Sequence, residues 1–202
     1  MLAFLLARRN VLAKVELDIN KLIKFASKIQ AGYKNITYHN KTHGADLCQT
    51  INYFFIHGQL GVKAKIDEHE YLALLTAACV HDFEHPGVNN VFLVKMQNPI
   101  AIRHNDLSVL ENHHIAAAFE VMFSDQSCNW ALKIETKDFQ RIRQLMIECV
   151  LATDMSKHFA ELGHFKIRSE QPEFDLTTEK DKMMTVRLFF HFADISNPVK
   201  HW

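Results

Sequence analysis

Histidines and carboxylates gather in short clusters along the chain, and their types and spacing set what chemistry is available. The first cluster is Tyr38-His39-Asn40-Lys41-Thr42-His43. His39 and His43 are four residues apart, which on a helix stacks two imidazoles about one turn apart on one face, where both can address one site. Such a pair alone is equally what capping or surface histidines look like. The second cluster is His81-Asp82-Phe83-Glu84-His85-Pro86-Gly87-Val88-Asn89-Asn90. Here a nearly all-apolar run, Tyr71 to Val80, delivers His81 and Asp82 at its end, with His85 one turn on and a Pro-Gly break beside them. Burying two imidazoles and a carboxylate next to Leu75, Ala78 and Cys79 is costly unless a cation or polar partners satisfy them. A histidine answering a helix C-terminal dipole would explain His85 but not all three. In the third cluster, His191-Phe192-Ala193-Asp194, a carboxylate follows a histidine by three residues. Its continuation to Pro198 reads equally as a helix-ending turn.

Combined, one histidine, an adjacent His-Asp pair and a distant aspartate supply two nitrogens and two carboxylates to a borderline cation. A bridging carboxylate can hold a second, harder cation that keeps most of its waters. Mixed nitrogen and oxygen ligation with open positions is the pattern of a catalytic site, whereas a closed structural site more often uses thiolates. Two cations close together would polarise a phosphoryl oxygen and bring the pKa of a bridging water down toward ~7, making hydroxide available for in-line attack on phosphorus. A nearby imidazolium would then protonate the leaving alkoxide. His39, spare once His43 is taken as a ligand, fits that task.

Helices must position these clusters. Six glycines and four prolines make up about 5% of the 202 residues, against about 12% in an average chain. A many-stranded sandwich, with its frequent Gly- or Pro-bearing turns, is therefore disfavoured. Leu22, Ile23, Ala26 and Ile29 share a face behind Asn20 as a cap, and Leu47, Cys48, Ile51, Phe54 and Phe55 form the next stripe. A third helix runs from about Asp67 to Val80 and is stopped by Pro86-Gly87. Ser108-Val109-Leu110-Glu111 matches a capping box ahead of Ile115, Phe119, Met122 and Phe123. Ile142, Leu145, Met146, Cys149 and Val150 mark a helix ending near Thr153-Asp154. A last one opens around Thr178 and carries Leu188, Phe189, Phe192 and Ile195 up to Asn197-Pro198. Seven or so helices with no convincing strand predict an all-α fold. The polar stretch over residues 163–182 reads as a loop within a single domain spanning 1–202.

Composition narrows the function further. Lys and Arg (23) balance Asp and Glu (23), which removes the basic field that a nucleic-acid polymer or an anionic membrane surface requires of a partner. The apolar run over residues 1–7 is short and is followed by Arg8-Arg9, the reverse of a secretory signal. No apolar stretch approaches the ~18 residues of a membrane span. The four cysteines lack any CxxC spacing and read as small buried hydrophobes of a reducing, cytoplasmic setting. A chain of this size buries roughly 70% of its unfolded surface, so a metal here serves a purpose other than holding the fold together.

Five segments taken in order are more specific than any of them singly: residues 38–46, 81–90, Asn105-Asp106-Leu107-Ser108-Val109-Leu110-Glu111-Asn112-His113-His114, Leu151-Ala152-Thr153-Asp154-Met155-Ser156-Lys157-His158, and residues 193–198. Through them the chain, from about Asp18 onward, resembles the class I 3',5'-cyclic-nucleotide phosphodiesterases, a branch of the HD-type metal-dependent phosphohydrolases. The resemblance implies hydrolysis of cAMP or cGMP to the 5'-monophosphate in signal transduction. It implies His43, His81, Asp82 and Asp194 as ligands of a tight zinc, with Asp82 bridging to a second ion, magnesium or manganese. His85, Glu111 and Thr153 would hold that second ion through waters, although Glu111 retains its capping-box reading. His39 would be the general acid, and Tyr38, Met155 and Asn197 would line the nucleotide pocket, Met155 being equally readable as a packing methionine.

Asp154 reads as a helix cap or part of a water network, and His113, His114 and His158 as supporting hydrogen-bond partners. The approach over residues 15–20 and the ending over residues 194–202 are similar to the calmodulin-dependent type, while residues 151–158 are similar to the cAMP-specific type. No regulatory domain is recognisable, so the resemblance says nothing of an activator. In the family the catalytic domain continues past the position of Trp202, which implies a C-terminally truncated domain whose purine-recognising helices are missing. Met183, Phe189 and Phe192 would then form an exposed apolar patch. The alternatives are another HD-type phosphohydrolase, or an inactive metal- or nucleotide-binding fragment.

Overall fold

The computed structural model describes residues 1–200; His201 and Trp202, part of the ending that resembles the calmodulin-dependent type, lie outside them. The described residues form twelve α-helices and two 3-10 turns, with no strand among them. In chain order the helices are α1 (Leu2–Arg8), α2 (Val11–Lys14), α3 (Ile19–Gly32), α4 (Lys41–Ile56), α5 (Leu60–Lys63), α6 (Glu68–Val80), α7 (Asn90–Lys95), α8 (Pro99–Arg103), α9 (Val109–Ser124), α10 (Thr136–Leu151), α11 (His158–Ser169) and α12 (Glu179–Asp194). The all-α expectation holds. Among the described residues no helix is long and apolar enough to cross a membrane.

A helix that is apolar on every side is stable only where every side is covered. That is the place of α6, whose residues Glu70–Ala78 and Val80 are buried, chiefly against α10 and α4, with α9, α1 and α3 completing the cover. Its start is set by a capping box: the Asp67 carboxylate accepts from Glu70 N–H at 2.9 Å, and the Glu70 carboxylate accepts from Asp67 N–H at the same distance. It ends at Val80, as expected, so that His81 closes the helix and the chain turns away over residues 81–84, ahead of Pro86. The buried helix therefore exists to deliver His81 and Asp82 into the interior.

Capping and burial correct several expectations. Asp18, and not Asn20, caps α3, its carboxylate accepting from Asn20 and Lys21 N–H, and on that helix Phe25 is buried while Ile23, expected on the same face as Leu22 and Ile29, is exposed. The Ser108–Glu111 capping box does not form. Ser108 sits in the left-handed region with φ 42°, and its hydroxyl donates instead to Asp154 at 2.7 Å. The expected loop over residues 163–182 is largely helical: α11 ends at Ser169 and only residues 170–178 separate it from α12. Its polarity reflects exposure, since α11 buries no residue of its own. Met183, Phe189 and Phe192 are half-buried, with the Phe189 ring 5.6 Å from that of Phe54 on α4. Apolar exposure falls on Phe159 and Ile167 of α11 instead.

One buried ion pair fixes α11 to α12. The Asp181 carboxylate, with no exposed surface, accepts Nε–H and Nη2–H of Arg168 at 2.8 Å each and Asp175 N–H at 3.0 Å. The Arg168 pair first, then the Asp175 amide, hold its pKa down to about 2. A carboxyl whose folded pKa lies below its unfolded value stabilises fully above the unfolded pKa, near 4, and loses that contribution as pH falls through the folded one. The stability difference between wild type and Asp181→Asn in urea unfolding should thus be level from pH 7 to about pH 5 and shrink between pH 4 and pH 2. A pH-independent difference would contradict this assignment.

Candidate metal centre and cleft

Asn40 is the hinge of the first motif. Its side-chain oxygen accepts from Thr42 N–H at 2.9 Å and caps α4, while its amide group donates to Ile36 O at 2.9 Å. His43 thereby falls in the first turn of α4, buried, and His39 stays outside the helix on the rim. The two do not share a helical face; their rings lie 6.0 Å apart and edge-on.

His43, His81, Asp82 and Asp194 converge from α4, the end of α6 and the end of α12. His43 Nε2 lies 2.8 Å from Asp194 Oδ1, 3.1 Å from His81 Nε2 and 3.4 Å from Asp82 Oδ2. His81 Nε2 lies 3.1 Å from Asp82 Oδ2 and 3.2 Å from Asp194 Oδ1. Donor atoms bound about 2.0–2.2 Å from one cation stand roughly 2.8–3.6 Å from each other, depending on whether the geometry is octahedral or tetrahedral. All five separations fall in that interval. His81 Nδ1–H donates to Ala78 O at 2.9 Å, which leaves Nε2 as the atom aimed at the cluster. Asp82 Oδ2 is buried with no hydrogen-bond partner. His43, His81 and Asp194 form one group of ligand atoms suited to a divalent cation, and Asp82 Oδ2 stands beside its two imidazoles.

The electrostatics agree. Burial pushes His81 toward its neutral form, but Asp82 and Asp194 outweigh it and hold the imidazole protonated well above its usual range. Burial likewise favours the neutral acids, and His81 overrides it, holding both carboxyls well below the usual carboxylate range. A proton on His81 Nε2 and a cation would thus compete for one place.

A second group lies across Asp82. His114, buried on α9, donates Nδ1–H to Phe83 O at 2.6 Å, leaving its Nε2 lone pair 3.8 Å from Asp82 Oδ1. His85 accepts Gly87 N–H on Nδ1 at 3.0 Å, so as a neutral ring it carries its proton on Nε2. Burial lowers the pKa of His85 to about 4 and that of His114 to about 3, so both are neutral near pH 7. One N–H and one lone pair beside a carboxylate suit ordered water. Asp82, His85 and His114 bring ligand atoms within 4.8 Å of one another.

These groups form the floor of a cleft of about 920 Å³, lined also by Tyr38, His39, Asn90, Phe92, Glu111, Thr153, Asp154, Met155 and Asp194. The His39 ring is stacked on that of His85, 4.0 Å between centroids and 12° between planes. Burial lowers the basicity of His39. Glu111 owes its place to Asn90, whose amide donates to Glu111 Oε2 at 2.9 Å and whose carbonyl accepts Leu110 N–H at 2.9 Å. Asn90 thus does the capping that Ser108 does not and turns Glu111 into the cleft, where burial raises its pKa. Asp154 caps the turn Met155–Lys157 through Ser156 N–H, as one of its two readings expected. Tyr38 and Met155 are exposed at the mouth. Asn197 is placed apart from the open cleft, behind Tyr38 and against His43. His113 contacts Glu84 at 3.0 Å, and His158 contacts His191 at 2.8 Å.

Sequence reasoning left His114 as a supporting residue and gave Asn90 no task. The placement of His114 beside Asp82 depends on the packing of α9 against the 81–85 turn. Asn90 lay inside a motif, but it is the first residue of α7 and stands 20 residues before the Leu110 amide it caps, so no local signal marked it.

Residues 38–202 match the family described as 3'5'-cyclic nucleotide phosphodiesterase. The chain is 38% identical over 201 residues to the human dual specificity calcium/calmodulin-dependent 3',5'-cyclic nucleotide phosphodiesterase 1C, covering 98% of this chain and 27% of the relative. The bovine 1B protein of the same description is also 38% identical, with 36% of it covered. The chain thus spans about a third or less of these relatives. Among solved structures, the phosphodiesterase domain of the RhoPDE fusion protein from the choanoflagellate Salpingoeca rosetta superposes with a TM-score of 0.88 at 29% identity, covering 98% of this chain and 62% of that one.

The capping role of Asn90 can be measured directly. Asn90→Ala should lower stability by about 0.5–2 kcal/mol, the range for a lost helix cap, whereas Ser108→Ala should leave the start of α9 intact. Urea unfolding of both variants checks this; the reverse order would restore the Ser108 cap.

Proposed function

The chain belongs to the 3'5'-cyclic nucleotide phosphodiesterase family, and from that premise we propose that it hydrolyses a 3',5'-cyclic nucleotide, cAMP or cGMP, to the 5'-monophosphate. The observation that carries the proposal is the convergence of His43, His81, Asp82 and Asp194, with five donor-atom separations of 2.8–3.4 Å, at a cleft that Asp82 and Asp194 line and His39 borders. His43, His81, Asp82 and Asp194 would hold a zinc ion, and Asp82 would share a second ion, magnesium or manganese. Bound there, the cations supply a polarised phosphoryl oxygen and a water acidic enough to act as hydroxide near neutral pH.

The chain's own residues supply the rest. Asp82 has two oxygens facing different groups, Oδ2 toward His43 and His81 and Oδ1 toward His114, which suits a carboxylate that serves two ions. His85 offers an N–H, and Glu111 and Thr153, further along the same wall, offer oxygens for ordered water. His39 is the proposed general acid for the departing ribose oxygen. Burial works against its charged form, and a seated cyclic phosphate, itself an anion, works for it, so substrate and proton favour each other's presence. Stacking on His85 fixes the plane of the ring. Tyr38 and Met155 at the mouth are the proposed nucleoside contacts; Asn197, behind Tyr38 and against His43, is not among them. An apolar wall including Val88, Phe92, Leu110 and Ile195 lines the same cleft and suits a base or ribose better than a bare phosphomonoester.

The test is release of 5'-monophosphate from cAMP and cGMP by the purified chain supplied with zinc and magnesium. Asp82→Ala should abolish turnover. His39→Gln should lower kcat by about 10²–10⁴-fold, the span for a lost general acid, at unchanged metal content. No product from either nucleotide, or full activity in Asp82→Ala, would defeat the reading.

A further inference from the structure

Asn197 has no evident contact with the open cleft, yet its amide is the hydrogen-bonding neighbour of a proposed ligand. The amide nitrogen as placed lies 3.4 Å from His43 Nδ1 and 3.2 Å from the Tyr38 hydroxyl oxygen. The turn that carries it is fastened on both sides. Ser196 donates its hydroxyl to Ala193 O at 2.6 Å, and Lys200 donates from Nζ to Asp46 and Thr50 of α4 at 2.6 Å each. His43 sits one turn before Asp46 on the same helix. This turn therefore holds Asn197 against the back of the His43 ring.

A half-turn of the amide exchanges its nitrogen and oxygen without moving the side chain, and the two orientations give His43 opposite tautomers. With the nitrogen facing Nδ1, the amide donates to a ring lone pair and the imidazole proton must sit on Nε2, where it points at Asp194. With the oxygen facing Nδ1, that atom carries the proton and donates it, and Nε2 becomes a lone pair. Tyr38 accommodates the second orientation as readily as the first, because its hydroxyl can donate to the same oxygen. Only the second makes His43 a ligand.

We propose that Asn197 is a positioning residue for the metal centre: its amide oxygen accepts the Nδ1 proton of His43, seconded by the Tyr38 hydroxyl, and so presents the Nε2 lone pair to the cation. The assignment rests on the metal-binding reading above and adds to it a task outside the nucleotide pocket. Ligating imidazoles commonly give their other N–H to a carboxylate or carbonyl, and loss of that partner costs about 10–100-fold in metal affinity. Here the only chemistry asked of residue 197 is acceptance.

That requirement separates two variants. Asn197→Ala removes the acceptor, and Asn197→Asp keeps an acceptor, a better one, but removes the donor. Zinc dissociation constants, measured by competition with a chromophoric chelator on the full chain, should weaken about 10–100-fold for Asn197→Ala and stay equal or tighten for Asn197→Asp. Urea midpoints of the metal-free proteins give the control for folding, and long-range 15N spectra of the His43 ring should show Nδ1 protonated in wild type and Asn197→Asp with zinc bound. Asn197→Ala within twofold of wild type, or Asn197→Asp weakened as much as Asn197→Ala, would overturn the proposal while leaving the metal centre standing. Failure of the wild-type chain to bind zinc would overturn both.

Discussion

Four atoms that all seek positive charge crowd together in a buried place, each of the two imidazole nitrogens within 3.4 Å of the other three atoms, and this crowding is the constraint on which the rest of the structure depends. Two carboxylate oxygens and two imidazole nitrogens repel one another unless a proton or a cation stands among them, and low local polarisability makes the repulsion larger than it would be in water. A fold that holds them together regardless must draw rigidity from elsewhere. It does so from α6, whose apolar run from Tyr71 to Val80 is buried on nearly every side and fixes the place of His81 and Asp82 independently of what the cluster contains.

The other two contributors are fixed by different means. α4 begins where Asn40 caps it, so that His43 falls in its first turn, and α4 packs along α6. Asp194 is the last residue of α12, a helix whose start is tied by Thr178 and whose Asp181 is locked to α11. Each ligand is thus at a helix end and each helix is anchored at a distance from the cluster. The arrangement keeps the strain of like groups from being relieved by fraying, because each of the three termini near the centre has its own polar partner: Asn40 for α4, the His81 contact to Ala78 O for α6, and the Ser196 hydroxyl donating to Ala193 O for α12.

How much of this was legible in the sequence follows from the kind of information involved. The helix delivering His81 and Asp82 could be read because ten successive residues without a polar face have only one environment open to them. The three ligand clusters could be read because imidazole and carboxylate at buried helix ends need a reason. The loop expected over residues 163–182 failed because polarity reports exposure, and an exposed helix such as α11 looks like a loop when its only anchor is the Arg168–Asp181 pair. The Ser108 cap failed for a tertiary reason: Asp154, 46 residues away, takes the hydroxyl, and Asn90 takes the helix end. Local patterns carry no record of such competitors, so Glu111 could be assigned neither to the cap nor to the cleft until Asn90 was seen beside it.

Asp82 joins the two halves of the site, and its position explains why they cannot be independent. One oxygen belongs to the cluster with His43 and His81, the other faces the lone pair of His114 across 3.8 Å. Charge drawn to one oxygen leaves less at the other, so whatever occupies the first cluster alters how strongly the second attracts a cation or the protons of water. The neutral states of His85 and His114 fit this geometry, since uncharged rings do not compete as cations with His81 for the Asp82 carboxylate. Burial of two histidines, which on its own weakens their basicity, is therefore what allows a single carboxylate to face both ways.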